Sequence, residues 1–123
     1  MIKFYHCNHS VQDIDRSVVF YQENFGLEKY RDLTVYNGAM RLAFLKDAYT
    51  EFRLELTWYA DHPQPFDQGD KEFHIAFYTD EYDALLIRHR EAGIVVKEEP
   101  ELRLYFVEDP DGYQIEIVEA PIK

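Results

Sequence analysis

Four side chains of metal-binding type stand at matching places in the two halves of this sequence. His6 and His74 each lie in an early strand-like segment, and Glu55 and Glu116 each lie in the last strand-like segment of the same half. Imidazole nitrogens and carboxylate oxygens together suit zinc, nickel, cobalt, manganese or iron, whereas calcium prefers oxygen ligands alone. Each residue taken singly is typical of a structural or surface position, so the joint pattern is what predicts a divalent metal site.

Hydrophobic patterning predicts the same order of elements in both halves. Apolar residues recur at helical spacing between Asp13, a predicted N-cap, and Gly26, a predicted C-terminal glycine. Strands are predicted at 2–9, 28–36, 39–46 and 51–59, with a hairpin turn at Asn37-Gly38. After the Pro- and Gly-containing residues 60–71, the order restarts with a strand at 73–79, a helix at 81–92 that ends at Gly93, and strands near 94–98, 102–108 and 113–119.

This repetition predicts an α+β fold made of two βαβββ modules in one compact domain. The modules are residues 1–59 and 72–123, and residues 60–71 form the linker. His6 precedes Gly26 by 20 residues and His74 precedes Gly93 by 19, as expected for an internal duplication. Each module would supply one imidazole and one carboxylate to a shared centre.

Composition excludes several classes of partner. The formal net charge is −11 and the thirteen basic residues are scattered, which disfavours binding to polyanionic nucleic acid. The single cysteine, Cys7, excludes an intramolecular disulfide and fits a reducing cytoplasm. The N-terminal residues lack a signal peptide's apolar core, and no apolar run approaches membrane-spanning length. We therefore expect a cytoplasmic protein with no membrane contact.

The remaining histidines and Cys7 are predicted to be structural or solvated. Cys7 and His9 lie on the face of the first strand opposite His6, while His62 falls in the linker and His89 on the second helix. Nothing in the sequence orients a Cys/His catalytic pair, and there is no Gly-rich phosphate loop or nucleophile elbow.

Five segments of the chain match the pattern of a known enzyme family: 6–21, Phe25-Gly26-Leu27, Leu54-Glu55-Leu56-Thr57, Phe73-His74-Ile75-Ala76 and 106–116. By these segments the chain resembles the glyoxalase I (lactoylglutathione lyase) family of the vicinal oxygen chelate superfamily. The resemblance covers nearly the whole chain, and the DPDG-Y-x-I-E stretch within 106–116 is its closest part, although that stretch is shared across the superfamily. The set His, Glu, His, Glu discriminates better between reactions.

The resemblance implies an open, barrel-like curved sheet built from paired modules, and a homodimer with its active site between modules of two chains. It implies that His6, Glu55, His74 and Glu116 bind one divalent ion (Ni, Zn or Co), with Glu116 as principal base and Glu55 as ligand and second base. The family isomerises the hemithioacetal of methylglyoxal and a thiol to a thioester through an enediolate, which a divalent cation stabilises. A small-molecule substrate is therefore expected.

Three departures from the bacterial family pattern concern the thiol. Ser10 stands where an Arg usually contacts the glutathione carboxylate, Tyr59 stands near the usual place of an Asn, and the loop between Lys97 and Arg103 is short. The thiol is accordingly left open between glutathione and another low-molecular-weight thiol. Alternatives on the same scaffold are an epimerase, a dioxygenase, a thiol transferase or a non-catalytic binding protein, and the complete four-residue ligand set disfavours each of them.

Overall fold

The computed structural model describes residues 1–121, so the last two residues of the predicted second module lie outside it. The chain divides into two units, residues 1–67 and 68–123, which we call unit 1 and unit 2. Unit 1 contains β1 His6–Ser10, α1 Ile14–Phe25, β2 Glu28–Val35, β3 Met40–Lys46 and β4 Arg53–Tyr59. Unit 2 contains β5 His74–Thr79, α2 Tyr82–Glu91, β6 Val95–Glu99, β7 Leu104–Glu108 and β8 Gln114–Glu119.

Each unit forms one four-stranded mixed sheet. The strand order is β1-β4-β3-β2 in unit 1 and β5-β8-β7-β6 in unit 2, and neither sheet closes on itself. The first strand of each unit pairs in parallel with the last, and the other pairs are antiparallel. The predicted α+β fold of two βαβββ repeats is confirmed.

One face of each sheet is buried because its apolar residues alternate with polar ones along the strands. In unit 1 the buried side chains of the sheet and of α1 include Leu45, Leu54, Leu56, Ile14 and Tyr21. In unit 2 they include Val107, Ile115, Ile117, Tyr82 and Leu86. The opposite face of each sheet carries the predicted metal-binding residues.

The helix ends follow the sequence signals in α1. The Asp13 carboxylate accepts a hydrogen bond from the Arg16 amide at 3.0 Å, and Gly26 adopts a left-handed conformation with φ 66° that ends the helix. Helix α2 differs, because Glu81 at its N-cap makes no side-chain capping bond. No helix within residues 1–121 combines the length and apolarity needed to span a membrane.

Two local expectations were wrong. β1 begins at His6, not at residue 2, and the Arg53 amide to Tyr5 carbonyl bond marks where backbone pairing starts. The turn after β2 has four residues, since Val35 pairs with Met40, and Tyr36 and Asn37 both take positive φ angles of 51° and 53°. The Asn-Gly signal located this turn, but the strand register set its length.

Candidate metal site

The His/Glu pairs occupy equivalent register positions in the two sheets. In unit 1, Glu55 on β4 lies opposite Asn8, two residues after His6 on β1. In unit 2, Glu116 on β8 lies opposite Ala76, two residues after His74 on β5. Because side chains alternate along a strand, each histidine shares a sheet face with its glutamate.

A phenylalanine completes each arrangement. Phe44 is the β3 partner of Glu55, and Phe106 is the β7 partner of Glu116. Each ring meets the nearby imidazole edge-on, with ring centres 6.1 Å apart for His6 and 5.3 Å apart for His74. Such contacts restrict how each imidazole can turn, so the repeat extends beyond the donors to the groups that orient them.

In unit 1 the carboxylate is held from two sides. Oε1 of Glu55 lies 3.8 Å from Nε2 of His6, and the same oxygen accepts a hydrogen bond from the Asn8 amide at 2.9 Å. Asn8 also donates to the Thr57 hydroxyl, and Ser10 donates to the Asn8 carbonyl oxygen at 3.3 Å. This network fixes the direction of the Glu55 carboxylate.

In unit 2 the imidazole is held and the carboxylate is not. Nδ1 of His74 lies 3.0 Å from the backbone carbonyl of Glu72. A carbonyl can only accept, so Nδ1 carries the proton and Nε2 of the neutral ring keeps its lone pair. Glu116 lines a cavity of about 440 Å³. None of the described residues donates a hydrogen bond to the Glu116 carboxylate. The other lining residues are Ala76, Phe77, Tyr78, Leu104 and Val118.

Each unit by itself offers two donors. Within the described part of the chain, no group of three or more His, Cys, Asp or Glu side chains comes together in a metal-binding arrangement. The donor set across both units is two imidazoles and two carboxylates, a combination suited to first-row divalent metals. The His74 bond to a backbone carbonyl is the kind of contact that orients metal-binding histidines in general. In donor type, these residues fit a divalent ion.

The other candidates lie away from these pairs. His9 and His89 are each 1% exposed and lie within hydrogen-bonding distance of Tyr21 and Tyr105, respectively, through Nδ1. Burial lowers the pKa of His9 to about 4, so it is neutral at pH 7. His62 stacks on Phe66 with ring centres 3.9 Å apart. Burial raises the pKa of the Cys7 thiol, which disfavours a reactive thiolate.

Residues 3–117 match the family model of the Glyoxalase/Bleomycin resistance protein/Dioxygenase superfamily. The chain belongs to this superfamily. Within the superfamily, it is 34% identical over 117 residues to the lactoylglutathione lyase of Neisseria meningitidis, an alignment that covers 89% of this chain and 84% of that protein. The predicted family resemblance is therefore confirmed.

Solved structures agree with this superfamily assignment. The trypanothione-dependent glyoxalase I of Leishmania major superposes with a TM-score of 0.85 at 28% identity, covering 97% of this chain and 87% of that one. Glyoxalase I from Zea mays superposes with a TM-score of 0.84 at 27% identity, covering 98% of this chain and 46% of that one. The chain is thus similar to glyoxalase I proteins in both sequence and fold.

Sequence reasoning missed Asn8. Strand alternation places it on the His6 face, and that was the only available signal. Its contact with Glu55 depends on the parallel pairing of β1 with β4, which joins residues 47 positions apart in the chain.

Proposed function

We propose that this chain is a metal-dependent lyase of the glyoxalase I type, acting on the hemithioacetal of methylglyoxal and a low-molecular-weight thiol. The observation that carries the proposal is the equivalent register of the two His/Glu pairs. A fold-level likeness would leave the reaction open. The repeated donor pairs, together with lactoylglutathione lyases among the relatives, favour this reaction over the others of the superfamily.

His6, Glu55, His74 and Glu116 would hold one divalent ion, for which Ni, Zn and Co are candidates. When bound, the ion supplies positive charge beside the substrate oxygens and so favours the enediolate that forms when a neighbouring carbon loses its proton. His74 presents the lone pair of Nε2 because its Nδ1 proton is engaged by the Glu72 carbonyl. In unit 1, Nε2 of His6 faces the Glu55 carboxylate.

Glu116 is the proposed principal base. It takes the proton from the carbon that bears sulfur and returns it to the adjacent carbon, so that the hemithioacetal becomes a thioester with no net change in atoms. A base of this kind must change its contacts during the reaction. Glu116 lines a cavity, and its carboxylate accepts no hydrogen bond from the described residues, whereas Asn8 holds Glu55, the proposed ligand and second base.

Two measurements test the proposal. Elemental analysis of the purified protein should find about one divalent ion for each set of two His/Glu pairs, that is, about one per chain. Glu55→Ala should lower that content. Thioester formation from methylglyoxal should exceed the spontaneous rate with glutathione or another small thiol once Ni, Zn or Co is supplied. An absence of turnover across these metals and several thiols would refute the proposal.

The predicted homodimer, with its active site between two chains, is tested by light scattering with and without metal.

A further inference from the structure

Three cationic side chains gather on the sheet face that carries His6 and Glu55. Arg53 on β4 is the strand partner of His6, and Lys46 on β3 is the strand partner of Arg53. Arg31 on β2 is the partner of Phe44, whose other partner is Glu55. Side chains of directly paired residues lie on the same face of a sheet. We call Arg31, Lys46 and Arg53 the cationic cluster.

None of the three cluster cations has a close ion-pair partner among the described residues, although the chain carries a net charge of −11. Within residues 1–121, no carboxylate oxygen lies within 4.0 Å of its charged nitrogens, including that of Glu28 across from Lys46. Asp47, the next residue along, interacts electrostatically with Arg53 only from beyond that distance, and its carboxylate accepts hydrogen bonds from the Thr50 amide at 2.8 Å and the Tyr49 amide at 3.2 Å. Seven cations elsewhere in the described chain do have such partners, namely Lys3, Lys29, Arg41, Lys71, Arg90, Lys97 and Arg103.

Aromatic rings and backbone carbonyls hold the cluster in place. The Arg53 guanidinium carbon and the Lys46 ammonium lie 5.4 and 5.6 Å from the centre of the Tyr30 ring. The Arg31 guanidinium carbon lies 5.7 Å from the centre of the Phe44 ring. Arg53 also donates to the carbonyls of Thr50 and Phe52 at 3.0 and 3.1 Å through one terminal nitrogen. Groups held in this way lose little freedom when they bind a ligand.

Unit 2 shows that the fold does not require this cluster. The equivalent positions, which pair in the same register around Phe106, are Lys97, Glu108 and Gln114. There, Gln114 donates to Glu108 at 2.8 Å and Lys97 lies 3.2 Å from Glu99. The same sites are therefore internally neutralised in unit 2 and uniformly positive in unit 1, where like charges repel unless an anion lies between them.

We propose that the cationic cluster binds a carboxylate of the thiol part of the substrate. This rests on the proposed lyase function, since it names the part of the molecule that lies beyond the reacting carbons. Neighbouring strands are about 4.8 Å apart, so Lys46 lies two strand spacings, or roughly 10 Å, from the His6 strand. A small peptide-like thiol spans that distance. The cluster would supply the charge that Ser10 lacks, and it selects carboxylate-bearing thiols over neutral or cationic ones.

Binding of an unreactive ligand tests the proposal without any turnover. S-methylglutathione would be titrated into the zinc-loaded protein by calorimetry, in parallel with its diester, which lacks free carboxylates, and with inorganic phosphate. We expect the acid to bind at least about tenfold more tightly than the diester, because charge-assisted bonds to carboxylate are strong. Lys46→Gln with Arg53→Gln should remove that preference, and Lys97→Gln, which removes the unit 2 cation at the position equivalent to Arg31, should preserve it.

Chemical-shift mapping on the unaltered protein covers the case in which the double variant fails to fold. The acid should then perturb Arg31, Lys46 and Arg53 far more than Lys97. Equal affinity for acid and diester, no binding of the acid, or equal binding of acid and free phosphate would each overturn the proposal. An inactive protein that retains the acid preference would refute the lyase function and preserve the subsite. An active enzyme without that preference would refute the subsite and preserve the lyase function.

Discussion

The two units share one backbone arrangement and differ in what surrounds the carboxylate of each His/Glu pair. Glu55 faces Asn8, whose amide holds it at 2.9 Å, and Glu116 faces Ala76, which offers no hydrogen bond. Strand register therefore places the donors in both units, while the residue paired with each glutamate decides whether its carboxylate is held by a hydrogen bond. The two carboxylates can thus differ in how firmly they are held, as the proposed roles of Glu55 as ligand and Glu116 as base require.

The side chains around the two carboxylates also differ in polarity. In unit 1 the wall next to Glu55 is polar, with Asn8, Ser10 and Thr57. In unit 2 the equivalent wall is Ala76, Tyr78 and Val118, so the cavity beside Glu116 is largely apolar. An apolar lining of this kind suits the proposed role of Glu116 as a base, because few polar side chains compete for its proton.

Replacing each glutamate in turn tests the difference between the two carboxylates most directly. Glu116→Gln should lower kcat by about 10² to 10⁴-fold, the usual contribution of a general base. Glu55→Gln should act chiefly through metal binding, because Asn8 already restricts that carboxylate. Thioester formation and elemental analysis on both variants separate these effects. Equal losses of kcat at full metal content would show that the two carboxylates share one role.

Acid should weaken unit 1 through its buried histidine. The unfolded chain binds a proton at His9 near pH 6.5, but burial lowers the folded pKa to about 4. The contribution of neutral His9 to stability is therefore complete above pH 6.5 and declines as the pH falls from 6.5 to 4. This pKa difference corresponds to roughly 3 kcal/mol.

Urea unfolding at several pH values measures this effect. His9→Gln removes the titrating ring, so its free energy of unfolding should depend less steeply on pH between 6.5 and 4 than that of the unaltered protein. Parallel slopes for the two proteins would mean that His9 does not contribute to acid sensitivity.

Removing the amide that holds Glu55 should make unit 1 resemble unit 2. Asn8→Ala deletes the bond to Glu55 and the bond to Thr57. We expect metal affinity to fall about 10 to 100-fold, as is typical when a group that orients a ligand is lost. Competition with a chelator measures the change, and Ser10→Ala, which removes the 3.3 Å contact to Asn8 but leaves the Asn8 amide in place, should cause a much smaller loss. Unchanged affinity in Asn8→Ala would show that Glu55 needs no such support.

The sequence predicted features that depend on neighbouring residues and missed contacts that depend on the pairing of distant segments. Alternating strands, the Asp13 cap and Gly26 predicted the order of elements correctly, because each depends on a few neighbouring residues. The contacts of Asn8 with Glu55, and of His9 with Tyr21, arise only when distant segments pair. The left-handed Tyr36 is likewise set by the register of β2 with β3 and not by its own residue type. The joint binding of one metal by both pairs stays a prediction.

Helix capping provides the smallest test of the difference between units. Asp13→Ala removes the 3.0 Å bond to the Arg16 amide and should cost about 1 kcal/mol of unfolding free energy, whereas Glu81→Ala, at a cap without a side-chain bond, should cost less than about 0.5 kcal/mol. Trp58 is the only tryptophan and lies on β4, so its fluorescence reports on the unfolding of unit 1, while far-ultraviolet circular dichroism follows both units. If the units unfold as one, Asp13→Ala shifts both signals equally. A shift in fluorescence with a smaller shift in dichroism would show that unit 2 remains folded after unit 1 has opened.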